Sequence, residues 1–158
     1  MMRLNVYTGE RPPTLNAERS AHWAVKHQHV VAWKTAAHEA LMRVGYRPRQ
    51  HAMAAARIEF RPLFPINTRG VLPDTGGCYP AEKAIVDGLV EAGVIPDDNQ
   101  WHNAGQLTLP PVRDPALDHP VIEVTLVPSA VPAEHIECSC RTSYEMKQAR
   151  ADMARNRK

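Results

Sequence analysis

Between Phe64 and Pro80 the chain reads FPINTRGVLPDTGGCYP, and no regular element can run through it. Its three prolines lack the amide proton that a helix or central strand needs, and its three glycines would lose the most backbone freedom on ordering. The segment is therefore a long loop, and the elements on either side of it are separate. Loops of this length with no regular structure of their own usually carry function.

The flanks read clearly. Ahead of the loop, HAMAAARIEFRPL is expected to be a strand, with Met53, Ala55 and Arg57 on one face and Ile58 and Phe60 on the other. After it, Pro80 suits the first helical position and Gly93 an αL stop, which predicts a helix over 80–92. Near the N-terminus, MRLNVYTG alternates like a strand, and ERPPTLNAERSAHW reads as irregular and polar. Ser20 is the expected N-cap of a long helix over 21–44, closed by Gly45 with Pro48 beyond. Val30, Val31, Trp33, Ala37, Leu41 and Val44 are its expected core contacts, with Lys26, Lys34 and Arg43 on its wetter side. GQLTLPPV and HPVIEVTLVP predict two more strands, the second with Ile122, Val124 and Leu126 facing one way and Val121, Glu123 and Thr125 the other. With no internal repeat and no linker, the expectation is one α+β domain over 1–140, followed by a basic helix or frayed tail over 141–158.

Charge is strongly segregated behind a net value of +2. Residues 1–70 hold 11 Lys/Arg against 4 Asp/Glu, residues 71–140 hold 2 against 11, and residues 141–158 hold 6 against 2. An acidic middle between basic ends suits a metal-dependent enzyme acting on a polyanion: carboxylates gather a divalent cation while Lys/Arg neutralise phosphates. No apolar run is long enough to span a bilayer, and the N-terminus lacks a signal-peptide pattern, so an intracellular protein is expected. The odd count of three cysteines agrees with that.

On the helix over 80–92, Ile85, Leu89 and Ala92 gather on one face at 100° per residue, and that face must be buried. Lys83 and Asp87 sit together on the other side. They form either a plain surface pair or one half of a charged site at a helix N-terminus. Beyond Gly93 the chain reaches Asp97-Asp98, two adjacent carboxylates that make either a solvated turn or, with Asp74 of the loop, oxygen ligands for Mg²⁺ or Mn²⁺. Spacing alone does not choose.

The order of features chooses. RPPTLNAERSAHW, a long helix, a strand, a glycine-rich acidic loop, EKAIVDGLVEAGVIPDDNQ and a closing VIEVTLVP strand resemble the RusA-like Holliday junction resolvases of bacteria, prophages and phages. The resemblance covers roughly residues 10–127, and its most specific part is Lys83, Asp87, Leu89, an AG pair and a DD pair in that spacing. It implies a small homodimeric endonuclease with a mixed sheet, a long N-terminal helix and a short active-site helix. Such an enzyme uses Mg²⁺ held by aspartates to nick four-way DNA junctions symmetrically, in the cytoplasm of a bacterial or phage-infected cell. By position Asp98 matches a metal-binding catalytic carboxylate, Asp97 is its neighbour, and Lys83 matches the catalytic lysine. The family's D-x-D-N-x-x-K pattern is absent: Gly77, Tyr79 and Pro80 stand at the two carboxylate positions and the asparagine position. Asp74, nine residues before Lys83, is the loop carboxylate left for that part, with Asp87 or Glu82 as substitutes. The alternative is a weak or inactive protein that binds junctions without cutting them.

Candidate DNA contacts are Arg11, Asn16, Arg19, Lys26 and Arg69, with Lys147, Arg150, Arg155 and Arg157 in the tail. Trp23 either stacks on an exposed base or packs beneath a loop. His102 is expected to face solvent, with a general-base role as the alternative. Cys138 and Cys140 near His135 make a single C-x-C, short of the two spaced ligand pairs of a structural zinc site.

Overall fold

The computed structural model describes residues 1–99 and 102–130. Its elements are β1 (Met2–Val6), α1 (Leu15–Ser20), α2 (Trp23–Arg43), α3 (Pro48–His51), β2 (Ala55–Pro65), α4 (Tyr79–Glu91), β3 (Asn103–Thr108), β4 (Val112–Asp114) and β5 (Val121–Ser129). The strands form one mixed sheet in the order β1-β5-β2-β3, with β4 pairing further along β2. β1 and β2 run antiparallel to β5, while β3 and β4 run parallel to β2. A parallel neighbour needs a crossover connection, and α4 provides it between β2 and β3. The result is the expected α+β domain.

Alternation along the strands decides which face is covered. Ile58, Phe60 and Phe64 of β2 are buried, while Arg57 and Arg61 at the alternate positions are exposed. Register aligns Leu4, Val124 and Phe60 in one inward row and Val6, Ile122 and Pro62 in the next. Trp33, Ala37, Ala40 and Leu41 of α2 and Ile85 and Leu89 of α4 join these side chains in one core cluster. The expected split of β5 holds: Ile122, Val124 and Leu126 are fully buried. β2 departs from strict alternation at its start, where Ala55 and Ala56 are both buried and the register against β3 slips between Ala56 and Ile58. The extra residue of that bulge lies in β3, between Asn103 and Gln106, while β2 stays in register with β5 throughout. Ala55 and Arg57 therefore share a face and differ only in burial.

Three further expectations are corrected. Ser20 is not the N-cap of the long helix. Residues 15–20 form α1, whose first turn is capped by Thr14 Oγ1 accepting from the Ala17 amide at 3.3 Å. Ser20 closes that helix, its hydroxyl donating to the Ala17 carbonyl at 3.1 Å. α2 starts later, with His22 Nδ1 accepting from the Ala24 amide at 3.3 Å. Second, Val31 and Val44 are 48% and 50% exposed, and the α2 core stripe is Trp33, Ala36, Ala37, Ala40 and Leu41. Alanines replace the valines because α2 meets α4 at close range. A Cβ added to Gly88 would lie 3.1 Å from the Lys34 carbonyl oxygen and 3.2 Å from Ala37 Cβ. Third, β4 adds a short strand between the two that were expected.

Among the described residues no helix is long and apolar enough to cross a membrane. The expected tail helix, the His135–Cys138–Cys140 cluster, Lys147, Arg150, Arg155 and Arg157 lie outside the described residues.

Candidate active site

α4 is buried on most of its circumference: Pro80, Ala81, Glu82, Ala84, Ile85, Val86, Gly88 and Leu89 are all inside. What remains outward is chiefly a line at four-residue spacing, Tyr79, Lys83, Asp87 and Glu91. Gly93, at φ +72°, then reverses the chain, and Val94 and Ile95 are fully buried. The Met53 amide donates to the Val94 carbonyl at 2.8 Å, pinning this return to the segment before β2. Burial of two branched side chains thus fixes where Pro96 and the aspartate pair emerge beside α4.

Lys83 Nζ donates to Asp87 Oδ1 at 3.3 Å and to Asp98 Oδ2 at 3.2 Å. The two carboxylates therefore converge on one ammonium, their oxygens no further apart than the sum of those distances. Partial burial pulls the Lys83 pKa down, but the hydrogen bond it donates to Asp98 and the charge of Asp87 outweigh it, and the net shift is upward. Lys83 is a cation at any physiological pH and no general base. Asp97 turns the other way: its Oδ1 accepts from the Asp98 amide at 2.8 Å and its Oδ2 from Asn99 Nδ2 at 3.0 Å. Of the adjacent pair, Asp98 faces Lys83, and Asp97 shapes the turn that presents it.

His102 continues that turn. Its amide donates to Asn99 Oδ1 at 3.2 Å, and its ring Nδ1 lies 2.7 Å from the Ala54 carbonyl, which can only accept, so Nδ1 carries the proton. At 6% exposed, His102 is a buried anchor, which corrects the solvent-facing expectation. The chain is thereby tied to the scaffold at Val94, ahead of the aspartate pair, and again at His102.

Asp74 lies in the glycine-rich loop, exposed, on an open groove of about 630 Å³ that it lines together with Asn16 and Tyr79. The loop is tight here: the Gly77 amide donates to the Asp74 carbonyl at 2.7 Å, and a Cβ on Gly77 would stand 2.8 Å from that oxygen. The Leu15 amide donates to the Gly77 carbonyl at 3.1 Å, which locks the start of α1 to the same turn. Among the described residues no three His, Cys, Asp or Glu side chains are grouped closely enough to hold a metal ion. Asp87 and Asp98 are brought together, whereas Asp74 and Asp97 do not complete a ligand cluster with them.

The expected DNA contacts among the described residues are spread along the N-terminal half. Trp23 is 72% exposed, so it does not pack beneath a loop. Arg19 and Arg69 are exposed and Lys26 is half-buried. Arg11 is employed by the fold itself: Nη2 donates to the Val71 carbonyl at 3.1 Å, and the guanidinium lies 5.6 Å from the centre of the Phe64 ring.

Two groups at the site were not expected in their observed roles. Arg113 of β4 donates from Nη1 to the Ile66 and Thr68 carbonyls at 3.2 and 2.6 Å and from Nη2 to the Gly70 carbonyl at 2.9 Å. With Arg11 it clamps the long loop. Nothing local in PPVRDP announces this. Glu82, a residue offered as a substitute ligand, is fully buried, its Oε2 accepting from Thr108 Oγ1 at 2.6 Å while Oε1 has no partner. Burial pushes its carboxyl above the ordinary glutamate value, an effect offset in part by Thr108 and Gln106. The helical wheel does carry this signal, since Glu82 shares the face of Ile85 and Leu89.

The chain matches no protein-family model and no curated protein sequence.

Proposed function

We propose that this chain is a structure-selective DNA endonuclease that cuts four-way junctions by Mg²⁺-dependent phosphodiester hydrolysis. The observation that carries the reading is the meeting of Lys83 and Asp98 at 3.2 Å, with Asp87 on the same ammonium, at the surface of an otherwise buried helix. Two charges on a helix that spends most of its residues on the core, met by a third from the turn beyond it, fit a site better than they fit stability. Surface ion pairs stabilise by only about 0–1 kcal/mol.

The donor set suits Mg²⁺. This ion keeps several waters and binds through one or two carboxylates together with substrate phosphates rather than in an all-protein cage. Asp98 and Asp87 are the residues that would hold it, while Asp97 shapes the turn and Asp74 lines the groove of the loop. When bound, the ion supplies water activation and neutralisation of charge at the phosphate. Lys83, permanently charged, neutralises the non-bridging oxygens of the phosphate and the developing charge on the leaving oxygen. The buried His102 anchor and the Asp97 turn hold the Asp98 backbone in place. Arg19, Lys26, Arg69 and the basic tail extend the phosphate contacts, and Trp23 offers a stacking surface. Symmetric nicking of two strands calls for two such sites, which a homodimer provides. The setting is the cytoplasm of a bacterial or phage-infected cell, in DNA recombination and repair.

The test is cleavage of a synthetic four-way junction by Asp98→Asn. Nicking is expected to vanish while junction affinity stays; equal nicking by the variant would falsify the assignment. A second reading, junction binding without hydrolysis, draws on the engagement of both carboxylates by Lys83 and on the absence of a three-ligand group among the described residues. It expects salt-sensitive junction binding with no nicking at any Mg²⁺ or Mn²⁺ concentration.

A further inference from the structure

Tyr79 opens α4 one turn before Lys83, is 45% exposed, and lines the open groove that separates α1 from the glycine-rich loop. The groove has a particular chemistry. Leu15, Leu72 and Pro73 give it apolar walls, Tyr79 an aromatic one, and Asn16 and Asp74 place an amide and a carboxylate on its rim. Its volume of about 630 Å³ falls within the range that accommodates small organic ligands. A flat ring with hydrogen-bonding edges suits such a site: its faces need apolar and aromatic partners, and its edge needs a donor and acceptors.

The groove is also firmly built. The Leu15 amide is tied to the Gly77 carbonyl at 3.1 Å, the Tyr79 amide to the Gly76 carbonyl at 3.0 Å, and Arg11 to the Val71 carbonyl at 3.1 Å. Its two walls are therefore held at a set separation rather than left as free loops. Tyr79 and Lys83 are one helical turn apart, about 6 Å along the axis. That is comparable to the span from a phosphate to its own base. A cation for the phosphate at one end and a ring for the base at the other make a nucleotide-length ruler along α4.

We infer that this groove receives one unpaired nucleobase of the DNA, stacked on Tyr79, when the adjoining phosphate lies at Lys83. The inference rests on the nuclease reading above and deepens it: the substrate is DNA with an unstacked base beside the cut phosphate, and Tyr79 and Asn16 contact that base. Taking a base out of its stack costs least where pairing is already disturbed, as at a strand crossover. The groove thereby gives a physical basis for preferring branched over plain duplex DNA.

The experiment measures equilibrium binding of four-way junctions by fluorescence anisotropy without divalent metal. A single abasic residue is moved in turn through each position flanking the crossover. The wild-type chain is expected to lose about tenfold in affinity at one abasic position and little elsewhere, the scale of one base–aromatic stack. Tyr79→Ala is expected to lose about the same factor on the intact junction and then to ignore the abasic position, while Tyr79→Phe retains the wild-type pattern. Thermal unfolding of Tyr79→Ala checks that the exposed ring was not holding the fold. Tight wild-type binding that neither the abasic scan nor Tyr79→Ala alters overturns the base site and leaves the nuclease reading standing. Failure of the wild-type chain to bind any junction overturns the nuclease reading, and the base site with it.

Discussion

Lys83 reaches Asp98 across 15 residues of chain, Nζ to Oδ2 at 3.2 Å, with each side chain about half exposed. A contact so placed contributes little to folding. Lys83→Met is therefore expected to cost no more than about 1 kcal/mol in denaturant unfolding. Junction cleavage should nevertheless fall by about two orders of magnitude, the loss typical when a charge-stabilising group is removed. A variant that is clearly less stable yet cuts normally would make Lys83 a structural residue.

Arg113 holds three carbonyls of the 66–70 segment in one planar fork. Arg113→Ala should destabilise by about 1–3 kcal/mol and speed amide exchange in that segment ahead of the rest of the chain. Arg113→Lys should not rescue it, because an ammonium cannot reproduce the fork. Unchanged exchange over 66–70 would remove the clamp.

Gly88 lets α2 and α4 approach, and the atoms nearest to an added Cβ are the backbone of Lys34 and the Cβ of Ala37. Gly88→Val should cost about 2–3 kcal/mol through overpacking. Ala37→Gly in the same chain should recover part of that loss, which a double-mutant cycle in urea measures. Simple additivity of the two changes would place the conflict elsewhere.

Glu82 carries its carboxyl into the core beside Thr108, and its pKa is raised there. A raised folded-state pKa means that the folded chain holds the proton more tightly than the unfolded one. The resulting stability is fully present below the ordinary glutamate value of 4.5 and is lost as pH rises through the folded pKa. Glu82→Gln, which keeps an acceptor for Thr108, should thus gain in melting temperature relative to wild type as pH is raised from about 4.5 to neutrality. A constant difference across that range would show that the buried carboxylate titrates normally.

Cys78, at the N-cap of α4, is 1% exposed, and burial with the nearby charge of Glu82 pushes its thiol up to about 12. Between the ordinary thiol value and that one the folded chain binds the extra proton, so stability should fall as pH rises through this window. At pH near 8 iodoacetamide should modify Cys78 only after unfolding, as peptide mapping by mass spectrometry would show, since the thiolate is the nucleophile. Rapid labelling of native protein at Cys78 would contradict its burial.

How much of this was legible in the chain can be argued residue by residue. Alternation of Ile122, Val124 and Leu126, the stops at Gly45 and Gly93, and the irregular run from Phe64 to Pro80 follow from local rules. A pleat repeats every two residues, positive φ suits glycine, and proline cannot donate. Lys83 and Asp87 on one outward line follow likewise from the helical period. The start of α2 is not legible locally because Thr14, Ser20 and His22 all offer cap chemistry, and the choice among them depends on the bond from Leu15 to Gly77, which is tertiary. Hydrophobicity alone points Val31 and Val44 to the core, whereas the tight crossing at Gly88 selects alanines.

By itself, then, the sequence determined the longer elements, the loop and which residue types could do chemistry, because those depend on neighbours within a few positions. Only the tertiary structure decided that Asp98 rather than Asp97 faces Lys83, that His102 anchors instead of facing solvent, and that Tyr79 and Asp74 share a groove. Those outcomes depend on which distant carbonyls and apolar side chains meet. Such meetings are settled by burying Val94 and Ile95 and by clamping the loop with Arg11 and Arg113, and no local pattern encodes them.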